Sequence, residues 1–170
     1  MAPAPPAPGI VTTASSLTDI SDAFRSAAEP ALGILVGRFR ASMAGPLWMR
    51  LPAPTVVRLT GMPGWWGKEF ALPGADDETL HGHNLVEGHG TLTPSLPMTA
   101  RLGTSRLDAR AALLLTYPAD TPRPWRHVTD EVRGLGDGRL LGLSYDIVPG
   151  IPTGVPFLLE PDDAAQRPST

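Results

Sequence analysis

Among 170 residues there is no cysteine, a single lysine and only two tyrosines. Without cysteine the chain has no disulfide, no thiolate metal ligand and no cysteine nucleophile. Basic charge is carried by arginine, with Lys68 the lone exception. Charged residues make up only 18% and the net charge is −3, so the electrostatic footprint of a nucleic-acid-binding protein is missing. Apolar runs are short because arginine, proline or glycine interrupts each of them, and none approaches the roughly 20 residues of a membrane span. The leading MAPAPPAPG has neither the positive stretch nor the continuous apolar stretch of a secretory signal. A cytoplasmic protein is expected. Also missing are the G-x-S-x-G nucleophile elbow, a phosphate-binding glycine loop and a dinucleotide fingerprint. Gly134-x-Gly136-x-Gly138 precedes an apolar alternating run rather than a helix, which excludes a phosphate cradle there.

What is present is a 42% apolar composition, enough for one domain with a single core. Ser16-Leu17-Thr18-Asp19 has capping-box spacing, and Leu17, Ile20, Phe24 and Ala27 recur at helical intervals. One helix is expected up to about Glu29, closed by Pro30. Strands are expected near residues 32–41, 54–60, 64–72, 80–92, 97–102, 109–117, 125–133, 139–146 and 154–160. Asp137-Gly138 between apolar runs signals a hairpin. About nine evenly spaced strands give a mainly β fold, a single antiparallel barrel with one N-terminal helix. The helix should pack across an opening of the barrel or on its outer wall. The domain should span 16–160, between a Pro/Ala-rich tail at 1–15 and a flexible tail at 161–170. Thr121–Pro124 and Pro149–Pro152 read as rim loops.

Pro63-Gly64-Trp65-Trp66-Gly67-Lys68-Glu69-Phe70 places two tryptophans beside the only lysine. Strict strand alternation groups Trp65 with Gly67 and Glu69, and Trp66 with Lys68, Phe70 and Leu72. One indole should line the interior while its neighbour covers the exterior. Both serve as packing residues in the simplest account; in the functional one, an indole forms a pocket wall and Lys68 or Glu69 is its polar contact. A lysine enclosed by aromatics is suited to an anionic ligand.

Three further stretches join this one in pointing to a family. Gly37-Arg38-Phe39-Arg40-Ala41 is similar to a G-x-W-x-G signature, with Phe39 for its tryptophan and Ala41 for its second glycine, and Gly64–Phe70 is similar to a downstream G-W-[YW]-G-K-x-F run. Val132–Gly142 and Pro156–Glu160 resemble later stretches of the same proteins, in the same order. Over about residues 32–160 the chain thus resembles the bacterial GXWXG family with its companion C-terminal domain of unknown function. The resemblance implies a small lipocalin-like β-barrel. It implies no established chemistry.

His81, His83, Glu87 and His89 fall on one strand face, and imidazole with carboxylate is sound ligation chemistry for a divalent metal. His-x-His-x3-Glu also matches the first motif of cupins, which place another histidine some forty residues on, near His127. The metal alternative is therefore His81, His83, Glu87 and His127, set against the plainer reading of solvated histidines. In Trp125–Val132, alternation puts Arg126, Val128, Asp130 and Val132 on one face and Trp125, His127, Thr129 and Glu131 on the other. The plain account is a rim strand with a surface Arg126–Asp130 pair worth little; the sharper one has Trp125 and His127 facing the cavity, where His127 could donate or take a proton near neutral pH. Tyr117 and Tyr145-Asp146 end apolar runs, where they reach a barrel mouth or solvent.

The expected function is enclosure of a small hydrophobic molecule, lipid-, terpenoid- or polyketide-like, in an apolar barrel with few polar anchors. Candidate ligand-binding residues are Trp65, Trp66, Lys68, Phe70, His83, Tyr117, Trp125 and His127. An alternative is a cyclase or isomerase of secondary metabolism that holds a flexible intermediate in a reactive shape, with Glu69, His127, Tyr117 and Asp146 as candidate catalytic groups. A cupin-like metalloprotein is the third reading. No cofactor, nucleic acid or membrane span is expected, and a homodimer is compatible with the sequence.

Overall fold

The structure is a computed structural model that describes residues 10–28, 30–72 and 78–162. Of the expected tails, residues 1–9 and 163–170 lie outside the described residues, as does the expected helix end at Glu29. Val11 is buried and its carbonyl accepts from Arg139, so residues ahead of Ser16 also pack on the barrel.

Eight strands form a closed antiparallel barrel in which every strand pairs with its sequence neighbours and the last closes on the first. They are β1 (Gly37–Met43), β2 (Trp65–Phe70), β3 (Leu80–Gly88), β4 (Thr91–Thr104), β5 (Ala111–Thr116), β6 (Thr129–Gly134), β7 (Leu140–Tyr145) and β8 (Val155–Pro161). The mainly β barrel expected from strand spacing is the fold of the chain. Helix α1 (Leu17–Ser26) opens with the capping box: Ser16 Oγ accepts from Asp19 N–H, and Asp19 accepts from Ser16 N–H. Its apolar stripe of Ile20, Ala23 and Phe24 lies on the outer wall against Ala112, Leu141, Leu143 and Leu158.

Three expected strands are corrected. Residues 54–60 are not a strand: Ala53–Leu59 is helix α3, preceded by the short helix α2 (Leu47–Arg50). A brief apolar run suits either period, and here Ala53 and Val57, one helical turn apart, are the buried pair, with Pro54 in the first turn where its missing N–H costs nothing. Residues 125–127 form a 3₁₀ turn rather than the start of a strand, so the alternation of β6 starts later. Leu32–Leu35 is likewise a 3₁₀ turn, and its Leu35 is fully buried at the end of the barrel away from α2 and α3.

That far end is densely filled. There Phe70 covers interior Gly82, where an added Cβ would come within 2.4 Å of its ring; midway along the barrel Gly142 lies beneath Phe157, whose ring would stand 2.1 Å from such a Cβ. The expected hairpin joins β6 to β7 through a longer turn, in which Leu135 N–H donates to Arg139 and both Gly136 and Gly138 have positive φ. At the other end α2 and α3 cross the mouth as a lid. They face the loop 146–154 that joins β7 to β8, and Trp125 Nε1 donates to the carbonyl of Thr60 at 2.7 Å, tying the lid to the rim.

Candidate ligand site at the barrel mouth

The site is positioned by a β-bulge. In the β2–β3 ladder Trp65 pairs with Val86 and Gly67 with Leu85, leaving Trp66 as the extra residue. Strict alternation would send Trp65 and Lys68 to opposite faces; the bulge sends both inward. Trp66 lies outside beneath Arg40, 5.9 Å from guanidinium carbon to ring centre. Gly67 is the residue that this crowded segment requires, since a Cβ there would be 1.9 Å from the carbonyl oxygen of Phe39.

Inside the barrel, four strands and the end of a fifth deliver polar side chains to one point. Lys68 Nζ is 2.9 Å from Asp130 Oδ2. It also donates to Asn84 Oδ1 at 3.1 Å and to Tyr117 OH at 3.2 Å. Asn84 Nδ2 donates to Tyr117 OH, the phenol donates to Asp130 Oδ2 at 3.4 Å, and Trp65 Nε1 donates to Asn84 Oδ1. The lysine and the aspartate are only 2% and 3% exposed. Rings of Trp65, Tyr117 and Phe157 each stand 5.7 Å from the ammonium. Ser144, the cross-strand partner of Asp130, lies beside the pair.

Burial disfavours the Lys68 ammonium, but the Asp130 carboxylate and the Tyr117 oxygen outweigh it and hold its pKa above the usual lysine value. Burial first, then the charge of Asp130, pushes the Tyr117 phenol up, against the pull of Lys68 and Asn84. Both groups therefore remain protonated at neutral pH: Lys68 is a cation and not a nucleophilic amine. Two folded-state values above the unfolded ones (10.5 and 10.0) contribute stability that is complete below about pH 10 and lost as pH rises through the folded values. Chemical denaturation from pH 7 to 11 should show a flat stability that falls above about pH 10, and a rise across that interval would contradict the assignment.

A cavity of about 30 Å³ adjoins the cluster, lined by Lys68, Asn84, Asp130, Ser144, Trp65, Trp125 and Phe157 beneath Met43, Val57 and Met62. This is space on the order of one or two waters. Under the lid lie two larger clefts. One, about 200 Å³, runs between α2–α3 and Ile147, Val148 and Ile151; the other, about 260 Å³, lies between α3 and Gly64–Trp65. Met43 and Val57 border all three spaces. Ile147 and Val155 also line both the cavity and the first cleft, and Met62 and Trp65 both the cavity and the second, so a thin apolar wall separates the polar cluster from the clefts.

Of the expected ligand residues, Trp65, Lys68, Tyr117 and Trp125 meet at this site, with Trp125 and Tyr117 rings 5.5 Å apart. Phe70 is interior but covers Gly82. Trp66, His83 and His127 are outside it. Glu69 lies on the outer wall, bound by Arg38 at 3.0 Å and 3.6 Å from His83. His127 is exposed on its 3₁₀ turn beside Arg126. Asp146 is half exposed and pairs with Arg106 at 2.7 Å. Of the candidate catalytic groups only Tyr117 belongs to the cluster. His81, His83 and Glu87 face outward from β3, away from the turn that carries His127. Among the described residues no group of three or more histidine, aspartate or glutamate side chains could hold a metal ion.

Asp130 and Asn84 were not among the expected site residues, and Asp130 is no surface partner of Arg126. The 3₁₀ turn shifts the phase so that Val128, Asp130 and Val132 face inward. The sequence holds a signal for this, a carboxylate spaced by two from valine on each side. An anionic ligand for Lys68 is also corrected, because Asp130 already neutralises its charge and its donors are engaged.

Compared with known protein families and with curated proteins, the chain matches none. Among solved structures it is similar to a protein from Thermomonospora curvata, with a TM-score of 0.60 over 88% of this chain and 89% of that one at 18% identity. At that identity the likeness bears on the barrel fold. No helix among the described residues is long and apolar enough to cross a membrane.

Proposed function

We propose that the barrel binds a small, neutral, largely apolar molecule carrying a hydroxyl group. Its body would lie in the clefts beneath α2–α3, and its polar atom would meet Asp130 and Ser144. The observation that carries this reading is the fully buried Lys68–Asp130 pair, hydrogen-bonded to Asn84 and Tyr117 beside a cavity that shares an apolar wall with the clefts under the lid. Stability alone is served as well by apolar residues at such positions. Lys68 and Tyr117 both reach Oδ2 of Asp130, and a carboxylate offers about four lone-pair positions over two oxygens, which leaves acceptor capacity for a ligand hydroxyl. Entry requires side chains of that shared wall to move, and the unbranched thioethers of Met43 and Met62 repack readily. Membership of the GXWXG family belongs to the same reading, since its Gly64–Phe70 stretch supplies Trp65 and Lys68 to the cluster.

A second reading, a cyclase or isomerase acting on such a molecule, is favoured by one feature: a carboxylate and a phenol that stays protonated stand 3.4 Å apart in a nearly dry site. Thermal shift with a matched terpenoid series tests the ligand class. Citronellol should raise the melting temperature by several degrees at saturating concentration, the corresponding hydrocarbon less, and citronellic acid least. Val57→Trp, which fills the passage, should abolish the response. Greatest stabilisation by the acid, or none by any member, would overturn the proposal.

A further inference from the structure

Four of the seven large hydrophobic side chains that stand exposed among the described residues are on the lid: Leu47 at 58%, Trp48 at 63%, Leu51 at 68% and Leu59 at 81%. Singly, exposed leucines need no account, but a cluster including a tryptophan marks an interaction surface. Its charge is one-signed. No aspartate or glutamate occurs between residues 41 and 67, and the loop 146–154 opposite the lid carries one charge, Asp146, which pairs with Arg106 at 2.7 Å. The lid's only charges are Arg50 and Arg58, and neither forms an ion pair among the described residues. Elsewhere the chain is acidic enough to carry a net charge of −3.

We propose that this face docks on an anionic lipid bilayer. Leucine with tryptophan at the headgroup level, flanked by arginine, is the composition that partitions into such an interface. A second copy of this chain fits less well: a two-fold contact would bring the same unpaired arginines toward one another with no carboxylate between them. Trp48 also lines the 200 Å³ cleft, so a docked lid would open its cleft toward the acyl layer, a route by which an apolar ligand enters without crossing water. That last step rests on the ligand-binding reading; the docking itself rests on exposure and charge alone.

Flotation with vesicles of phosphatidylglycerol and phosphatidylcholine, against phosphatidylcholine alone, tests it. The protein should float with the anionic vesicles, lose this in 0.5 M salt as screening shortens the field to roughly 4 Å, and bind neutral vesicles at least tenfold more weakly. Arg58→Gln should weaken binding about fivefold. Trp48→Ser with Leu51→Ser, both exposed positions, should abolish it at unchanged melting temperature. Lys68→Met with Asp130→Leu, which removes the charges of the ligand site without stranding either partner, should float like the parent protein, so a failed ligand screen leaves this test intact. Absence of flotation, flotation indifferent to the serine pair, or a dimer in sedimentation equilibrium that the serine pair dissolves would each overturn the proposal, the last by making the face a self-interface.

Discussion

Asp130→Ala should cost about 3–5 kcal/mol of folding stability at neutral pH, because it strands the Lys68 ammonium in a site with almost no water. For a chain of this length that is a fall in melting temperature on the order of 10 °C. Asn84 and Tyr117 would still accept from the ammonium, but neither carries the charge that holds the Lys68 pKa up. In the variant the lysine would titrate below its usual range, so the deficit should shrink as pH rises toward the unfolded value near 10. The parent protein does the opposite there. Removing both charges with Lys68→Met and Asp130→Leu should recover most of the loss, since a buried pair replaced by apolar groups of similar volume is close to neutral. Urea denaturation of the three proteins decides it: an alanine variant as stable as the parent would mean the pair is not buried. The double variant has a second use. If it is stable but no longer responds to citronellol, the pair serves binding rather than folding.

Arg133→Met should cause a loss of similar size by a different route, centred on the outer wall. The Arg133 guanidinium is wholly buried, grips Asp108 with two bonds of 2.7 and 2.8 Å, and donates to the carbonyls of Phe24 and Ala111. It also lies 4.5 Å over the Phe24 ring. Methionine fills much of the volume but removes four hydrogen bonds, leaving the Asp108 carboxylate with the Arg110 N–H and no counter-charge in the buried site, for about 3–5 kcal/mol. The hydrogen bond from Arg133 holds the Asp108 carboxyl below its usual pKa. A depressed carboxyl contributes stability that is present above about pH 4 and lost as pH falls through its folded value, so the variant's stability should depend less on pH in acid. Arg133→Lys should rescue only part, because an ammonium cannot reproduce the paired bonds. Hydrogen exchange should place the damage in Leu17–Ser26, the helix this arginine ties down. Unchanged protection of that helix would count against the assignment.

The two predictions concern neighbours on one strand, and that proximity explains what was legible beforehand. Along β6, Asp130 and Val132 point inward while Glu131 and Arg133 point outward beneath α1 and the 105–110 loop. Alternation is readable in a sequence, but its phase is not until something fixes the starting residue. A 3₁₀ turn at Trp125–His127 fixes it here, and counting from Trp125 as a strand residue exchanges the two faces. At β2 the bulge at Trp66 has the same effect, turning Trp65 from Lys68's opposite into its neighbour. The helix at Ala53–Leu59 escaped because a short apolar run with a proline fits either period until its burial partners are known.

From residue order alone came the antiparallel β-barrel, the capped helix at Ser16, the positions of most strands and the hairpin at Asp137-Gly138. These are local properties: propensity, spacing and turn chemistry act over a few residues. Tertiary structure decided which indole faces inward, that the lone lysine is neutralised by Asp130 62 positions away in the chain, and that α2–α3 form a lid. It did so because closing the barrel brings distant strands side by side, and one irregular residue upstream reverses every face downstream of it.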